Sequence, residues 1–250
     1  MSGLALELTG VTAGYGTTTV LRDVDLAVPP GKVVALLGAN GAGKTTVLKT
    51  AAGLIRPSAG RIRLGGADVT ARTPYQRSHR GLCLVPEGRG VFPNLTVREN
   101  IVLLGPQGSA RDSIEKALTV FPALRGRLGH RAGDLSGGQQ QMLALSRCFT
   151  GKPDVVLLDE VSMGLAPIVV DQIFEALHAL ARTGAALLLV EQYIGKALEL
   201  ADHVYLLDRG AISFSGSPAQ LDEDELVRRY LHVEPDADGP ADIIISGEQR

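Results

Sequence analysis

The 250-residue sequence contains no tryptophan and only two cysteines. Cys83 and Cys148 both lie in apolar runs, which favours packed free thiols in a reducing cytoplasm over a disulfide or a metal site. No uninterrupted apolar stretch approaches the roughly 20 residues that span a bilayer, and the N-terminus has no basic-then-apolar signal pattern. We therefore expect any role at a membrane to depend on a partner protein.

The sequence also lacks an excess of charge of either sign. It has 25 basic and 27 acidic residues, which give a net charge of −2. There is thus no overall positive field to attract nucleic acid or an anionic membrane, and we expect no nucleic-acid partner.

Glycine, in contrast, is abundant. The 30 glycines exceed what a helical bundle would tolerate and favour a turn-rich α/β protein.

Short apolar runs recur along the chain, and several precede helix-like segments. This alternation predicts a largely parallel, buried sheet. Its strands are expected at Lys32–Leu37, Leu82–Val85, Val155–Leu158, Ala185–Val190 and Val204–Leu207. The opening part of the chain instead alternates apolar and polar residues between turn signals, which predicts an antiparallel β-subdomain. The expected strands of that subdomain are Leu4–Leu8, Val20–Val28 and Arg61–Leu64.

Strand signals disappear between Pro86 and Gly151, where helical patterns predict a lobe inserted into the core. The expected helices of the lobe are Thr96–Leu104, Ser109–Phe121 and Ser136–Phe149. The acidic end of the chain is rich in proline, glycine and aspartate, which predicts disorder. The predicted domains are a core at residues 1–86 and 152–233, a helical lobe at 87–151 and a disordered tail at 234–250.

Residues Gly38 to Thr45 carry the pattern Gly-x4-Gly-Lys-Thr between a predicted strand and a predicted helix, Thr46–Gly53. This is the sequence context of a P-loop, in which backbone N–H groups converge on phosphate oxygens. Lys44 would reach the β- and γ-phosphates, and the Thr45 hydroxyl would bind Mg²⁺. The sequence therefore predicts an ATP and Mg²⁺ site in the core. Its expected nucleotide contacts include Gly38, Asn40, Gly41, Gly43, Lys44, Thr45 and Thr46.

The apolar run Val155–Leu158 ends in two carboxylates, Asp159 and Glu160. Taken alone, such a sequence is usually a strand that enters a solvated turn. Beside a P-loop it indicates a ligand site, because α/β sheets bind ligands at the carboxyl ends of their strands. We predict that Asp159 belongs to the Mg²⁺ shell and that Glu160 is the general base that accepts a proton from the attacking water.

A third motif begins a predicted helix before the acidic strand and reads Leu135-Ser136-Gly137-Gly138-Gln139. With the P-loop, it resembles the LSGGQ signature of the ATP-binding cassette (ABC) ATPases, and the resemblance covers residues 4 to 232. The resemblance implies the ABC ATPase fold and a head-to-tail dimer closed by two nucleotides. In that dimer Ser136, Gly138 and the helix N-terminus would cap the ATP held by the other subunit.

The resemblance assigns further residues and reveals departures from the family pattern. Tyr15 matches the aromatic residue that stacks on adenine. Glu87 replaces the Q-loop glutamine and can still bind Mg²⁺, directly or through water. Gln192 replaces the switch histidine; it can donate to the γ-phosphate but cannot titrate near neutral pH, and it joins Lys44 and Glu160 as a predicted catalytic residue. Ala166 stands where the D-loop has aspartate, which calls signalling through that side chain into question.

The segments VPEGR…FPNLTVREN and LLLVEQ…ALELAD contain both unusual residues and resemble the ATPases of Liv-type branched-chain amino acid importers and of their relatives for urea and short amides. The resemblance implies a peripheral subunit at the cytoplasmic face of the cell membrane. Two permeases would dock on residues 88–104, with apolar contacts from Phe92, Pro93 and Leu95. The other partners would be an identical or sister ATPase and, indirectly, a solute-binding protein.

Two other classes of protein also contain a P-loop and compete with the assignment as a transporter subunit. A soluble ABC ATPase of DNA repair or translation typically carries two cassettes, a coiled-coil insertion or basic patches, and none is found in this sequence. A P-loop kinase or small GTPase has no signature motif, so Leu135–Gln139 argues against it. The sequence favours import over export and holds no direct record of the solute.

Overall fold

A computed structural model describes residues 3–88, 90–105 and 109–221. The predicted disordered tail at 234–250 lies outside the described residues. Within them, no helix is long and apolar enough to cross a membrane.

The first sheet is antiparallel, with four strands in the order β2-β1-β4-β5. The strands are β1 (Leu6–Tyr15), β2 (Thr18–Val28), β4 (Ala59–Leu64) and β5 (Ala67–Asp68). Strand β1 runs past its predicted end at Leu8, because an irregularity in pairing between Leu8 and Val11 lets it stay paired with β2. This sheet corresponds to the predicted antiparallel subdomain.

The second sheet has six strands in the order β10-β9-β3-β8-β7-β6, and only β10 is antiparallel to its neighbour. The strands are β3 (Val33–Leu37), β6 (Leu82–Val85), β7 (Val155–Asp159), β8 (Ala186–Val190), β9 (His203–Asp208) and β10 (Ala211–Gly216). Every residue of β3, β7 and β8 is buried, as expected for parallel strands covered on both faces. The five predicted parallel strands are therefore present, whereas β10 was not predicted.

The helices are α1 (Lys44–Ala51), α2 (Pro74–Ser78), α3 (Val97–Leu104), α4 (Ala110–Val120), α5 (Gly137–Thr150), α6 (Pro167–Arg182) and α7 (Ile194–Leu200). Helices α3 to α5 follow one another between β6 and β7. Thr96 caps α3 and Ser136 caps α5, each in a capping box whose third helical residue, Glu99 or Gln139, bonds back to the cap. These caps explain why both helices begin where the sequence predicted.

Two apolar clusters cover the two faces of the parallel sheet, because successive strand residues point to opposite sides. Val33, Ala35 and Leu37 of β3 join a cluster with helices α3 to α7. Val34 and Leu36 join a second cluster with α1 and the antiparallel sheet. The parallel sheet is thus the central layer. The helices between β6 and β7 share its core, and the proposed lobe boundaries at 87 and 151 stay a prediction.

The two cysteines are free thiols, as the sequence favoured. Cys83 of β6 and Cys148 of α5 face each other with their Sγ atoms 3.9 Å apart. They join the sheet to the helix that begins with the signature-like motif.

Candidate active site

The P-loop connects the end of β3 to the start of α1. Gly38 passes so close to β9 that a Cβ there would lie 2.2 Å from the Leu207 carbonyl oxygen. Gly43 has φ +110°, and a Cβ on it would lie 2.9 Å from a Leu21 methyl carbon. Gly43 is also the N-cap of α1 and offers no side-chain cap, so the first N–H groups of the helix are available to an anion.

Lys44, the first residue of α1, lies across this loop. Its ammonium group donates to the carbonyl oxygens of Gly38 at 2.8 Å and Ala39 at 3.1 Å. The side chain is 7% exposed. Burial lowers the pKa of Lys44, while the nearby charges of Glu160 and Asp159 act in the opposite direction. The loop therefore holds a buried cation beside two carboxylates.

The other predicted P-loop contacts occupy two environments. Asn40 and Gly41 are exposed at the loop tip, whereas Thr46 is buried in the first turn of α1. Thr45 lies between them and the acidic strand, and its hydroxyl donates to Oδ1 of Asp159 at 3.1 Å. The structure thus joins the P-loop to the end of β7, 114 residues further along the chain.

Asp159 is the buried last residue of β7. Burial raises its pKa to about 6, the charges of Glu160 and Glu87 add to the rise, and the Thr45 hydrogen bond opposes it. Burial also raises the pKa of Glu160, with Lys44 opposing and Glu87 adding. The structure therefore brings all three predicted acidic site residues into one electrostatic environment.

This environment suits a divalent cation with few protein ligands. Thr45 and Asp159 supply adjacent oxygen atoms, and the repulsion among the carboxylates would be relieved by positive charge. Along the described chain, no cluster of three or more His, Cys, Asp or Glu side chains could hold a metal alone. The donor set fits Mg²⁺, which keeps waters and phosphate oxygens as its other ligands.

Glu160 begins the loop after β7 in a left-handed backbone conformation, with φ +49°, which is uncommon for a residue with a side chain. Its N–H donates to the Val190 carbonyl of β8 at 2.9 Å. Its Oε2 accepts a hydrogen bond of 3.2 Å from Nε2 of Gln192, which also lies 3.4 Å from the Met163 sulfur. The structure thus places two predicted catalytic residues in direct contact.

A buried pair that the sequence did not predict, Glu191 and Ser162, lies behind this contact. Glu191 is 3% exposed, and its carboxylate accepts hydrogen bonds from the N–H of Ser162, at 3.1 Å, and from the Ser162 hydroxyl. Burial raises the pKa of Glu191 to about 7, although these hydrogen bonds oppose the rise. The only sequence signal was an acidic residue directly after an apolar strand.

A cleft of about 310 Å³ opens beside Glu160. Glu87 and Gly88 line it from the segment after β6, and Gln140 and Gln141 line it from α5. Gln141 is buried, and its Nε2 has no hydrogen-bond partner among the described residues. The cleft therefore connects the Q-loop position and the signature helix to the predicted base.

The signature-like residues lie at the start of α5. Leu135 is buried, Ser136 is exposed, and Ser136 Oγ accepts from the Gln139 N–H at 3.4 Å. Gly137 begins the helix, and a Cβ on Gly138 would lie 2.7 Å from a Val169 methyl carbon of α6. Tyr15, at the end of β1, is 49% exposed. The structure thus leaves the Ser136 hydroxyl and the Tyr15 ring accessible at the surface.

Comparison with known proteins identifies the class. The family model described as ABC transporter matches residues 21–163, a span that holds the P-loop, the signature and the acidic strand. The chain therefore belongs to the ABC transporter family, as one of its transport ATPases. The predicted fold class and family are confirmed.

Two curated relatives and one solved structure narrow the comparison. The chain is 41% identical over 226 residues to the high-affinity branched-chain amino acid transport ATP-binding protein BraG of Pseudomonas aeruginosa, covering 89% of this chain and 97% of that protein. It is 37% identical over 227 residues to the probable branched-chain amino acid transport ATP-binding protein LivF of Archaeoglobus fulgidus, covering 88% and 95%. A solved ATP-binding subunit of an ABC transporter superposes with a TM-score of 0.77 at 27% identity, covering 91% of this chain and 93% of that one.

Proposed function

We propose that this chain hydrolyses ATP, with Mg²⁺, to energise the import of branched-chain amino acids. The observation that carries the catalytic part is the hydrogen bond from Thr45 to Asp159, close enough to Lys44 and Glu160 for their charges to interact. The solute is supported by the names of the two relatives, since this site contains nothing that would contact a solute on its way through a membrane.

The P-loop binds the phosphates of ATP. The Lys44 ammonium would exchange the loop carbonyls of Gly38 and Ala39 for phosphate oxygens, and the uncapped N–H groups at the start of α1 would donate to the phosphates as well. Thr45 and Asp159 would hold the cation, with Glu87 reaching it through water. When bound, Mg²⁺ neutralises charge on the β- and γ-phosphates and so favours attack at phosphorus.

Glu160 acts as general base towards the attacking water. Its raised pKa increases its proton affinity, and Gln192 bonds only Oε2, so Oε1 is left for the water. The Gln192 amide would orient the Glu160 carboxylate, which it contacts at 3.2 Å, and donate to the γ-phosphate. Because an amide does not titrate, this switch residue contributes no ionisation near neutral pH.

Replacing Glu160 with glutamine tests this role. Glu160→Gln should bind ATP normally and hydrolyse it about 10²- to 10⁴-fold more slowly, because the proton acceptor is lost while the shape is kept. Binding would be measured with a fluorescent ATP analogue and turnover by phosphate release. Glu175→Gln, an exposed change on α6, is the matched control. A Glu160→Gln variant with wild-type turnover would exclude Glu160 as the base.

We further propose that two cassettes, identical or sister chains, close head to tail around ATP. The exposed Ser136 at the N-terminus of α5 supports this, because it offers a hydroxyl and helix N–H groups to a phosphate from outside the chain. Glu160→Gln should then form an ATP-dependent dimer in size-exclusion chromatography, alone or with its sister subunit. Ser136→Arg should prevent this dimer while leaving ATP binding to the separate chain intact.

The permease docks, we propose, in a groove of about 820 Å³ between the end of α1, helix α2, strand β6 and the end of α3. Leu54 and Leu103 both line it and are 57% and 58% exposed, so the groove presents an apolar surface of the kind that protein partners cover. Only Leu103, Leu104 and Gly105 of the groove lie in or next to the predicted docking region at 88–104. Phe92, also exposed, is absent from its lining.

A pair of variants tests whether the permease docks in the groove or on the loop before α3. Leu103→Asp should leave basal ATPase activity within about twofold of wild type and abolish transport in the assembled importer, because it places a charge in the buried contact. Phe92→Asp is the matched control, another exposed apolar residue made acidic. Uncoupling by Phe92→Asp alone would place the permease on the loop before α3 instead. Such a subunit associates with the cytoplasmic face of the membrane through its permeases.

A further inference from the structure

Glu191 is the buried carboxylate that the proposed mechanism does not use. It follows β8 directly, and its side chain turns towards the loop after β7 instead of towards solvent. A carboxylate is rarely buried unless it is well paired, and this one has no cation as a hydrogen-bond partner in the described chain. Its hydrogen bonds must therefore account for its position.

Those hydrogen bonds come from the loop after β7, which carries the predicted base. Ser162, two residues after Glu160, gives both its N–H and its hydroxyl to Glu191. The nearby N–H of Gln192 helps to lower the pKa of the Glu191 carboxyl, and Gln192 follows Glu191 directly in the chain. One side chain thus joins the loop after β7 to the loop after β8.

The conformations of Glu160 and Gln192 show which groups this link holds in place. Glu160 keeps an unfavourable left-handed backbone, which persists only when neighbouring contacts determine it. Gln192 has three side-chain torsions to fix before its amide meets Glu160 at 3.2 Å. With Ser162 hydrogen-bonded to Glu191, and Gln192 next to Glu191 in the chain, the backbones that carry Glu160 and Gln192 have little freedom to separate.

We propose that Glu191 is a positioning residue for ATP hydrolysis, which holds the Gln192 amide on Glu160 by tying the loop after β8 to Ser162 in the loop after β7. The proposal rests on the assignment of Glu160 as general base. Glu191 itself contacts neither the P-loop nor the cleft beside Glu160 among the described residues. It acts on the reaction through Gln192 and Ser162 only.

The test compares Glu191→Leu, which removes every acceptor, with Glu191→Gln, which keeps one. Glu191→Leu should lower kcat about tenfold, because a small displacement of a catalytic group costs rate, while the KM for ATP changes by less than about twofold. Glu191→Gln should recover most of the lost kcat, because its amide oxygen can still accept the Ser162 N–H. Glu199→Leu, an exposed change on α7, should change neither parameter.

A double-mutant cycle excludes a merely structural role. If Glu191 acts through Gln192, Glu191→Leu adds less than about twofold to the loss caused by Gln192→Ala. Losses that multiply, or a KM that rises while kcat is kept, would overturn the proposal.

If Glu191→Leu does not fold, Ser162→Ala decides: it should lower kcat at constant KM, and a wild-type kcat overturns the positioning role. A fully active Glu160→Gln would refute the base assignment itself, whereas an inactive Glu160→Gln beside a wild-type Glu191→Leu refutes only the positioning role.

Discussion

Replacing Arg77 with methionine should cost this protein much of its stability, although the residue lies outside the active site. Arg77 in α2 has a fully buried side chain. Its guanidinium donates to the carbonyls of Thr50 at 2.8 Å, Ala51 at 2.7 Å, Thr70 at 3.0 Å and Arg72 at 3.2 Å. The first two belong to the last turn of α1, where carbonyls lack helix partners and a cation is favourable.

The magnitude follows from these contacts. A hydrogen bond to a charged group contributes about 1.5–3 kcal/mol, so the four bonds are worth about 6–12 kcal/mol before costs. Burying the guanidinium costs several kcal/mol, which methionine does not incur. We therefore expect Arg77→Met to lower the free energy of unfolding by about 3–5 kcal/mol. Arg77→Lys should lower the free energy of unfolding by less, because lysine keeps the positive charge. Some loss remains, because a single nitrogen cannot reach all four carbonyls.

Urea unfolding of the nucleotide-free protein, followed by far-ultraviolet circular dichroism, measures this loss as a shift in midpoint at constant slope. Arg72→Met is the matched control. Its side chain is exposed and only its backbone carbonyl contacts Arg77, so the change should stay within about 0.5 kcal/mol. A loss below about 1 kcal/mol in Arg77→Met, or an equal loss in both variants, would refute the reasoning.

Three further predictions concern single side chains. Asn100→Leu should lower the free energy of unfolding by about 2–3 kcal/mol in urea, because buried Asn100 pairs both the N–H and the carbonyl of Phe92. Burial raises the pKa of Glu191 from 4.5 to about 7, so the folded state binds more protons and the stability it contributes falls as pH rises between those values. The free energy of unfolding of Glu191→Gln, relative to that of the wild type, should thus rise by about 3 kcal/mol from pH 4 to pH 8. A difference between the two proteins that stays constant with pH would contradict this. Gln192→His should add an ionisation near pH 6.5, roughly the unperturbed value, to the pH profile of ATPase activity, whereas the wild type should show none that depends on this loop.

The sequence predicted the parts of the fold that rest on local pattern. Strands β3, β7 and β8 are continuous apolar runs because both of their faces are buried, and the P-loop spacing is set by one turn between a strand and a helix. Edge strand β10 escaped prediction, since it is exposed at alternate residues and contains glycine and serines. The five-residue helix α2 has too few residues to show a helical period.

In the site, too, local motifs predict some residues, whereas contacts between distant segments have no local signal. Lys44 and Asp159 follow from motifs that a chain segment carries within itself. The pairing of Ser162 with Glu191 spans 29 residues and depends on β7 lying next to β8, in a register that places Asp159 opposite Val190. Nothing local in either segment indicates that register. Contacts between loops that follow neighbouring strands therefore needed the structure.

Strand order explains why the residue after β8 matters so much to this site. The four strands that carry it are neighbours in the order β3-β8-β7-β6, although the chain makes them in the order β3, β6, β7, β8. Their carboxyl ends lead to Lys44, Gln192, Glu160 and Glu87 respectively, at the edge where such sheets bind ligands. Strand β8 thus lies between the P-loop strand and the acidic strand, and the loop that follows it contacts Glu160, the proposed base, at the end of β7. A hydrogen-bond donor at position 192 can therefore contact Glu160 whether or not the donor titrates. The backbone of Gln192 must also be held in place, and the adjacent Glu191 supplies that support from the same loop.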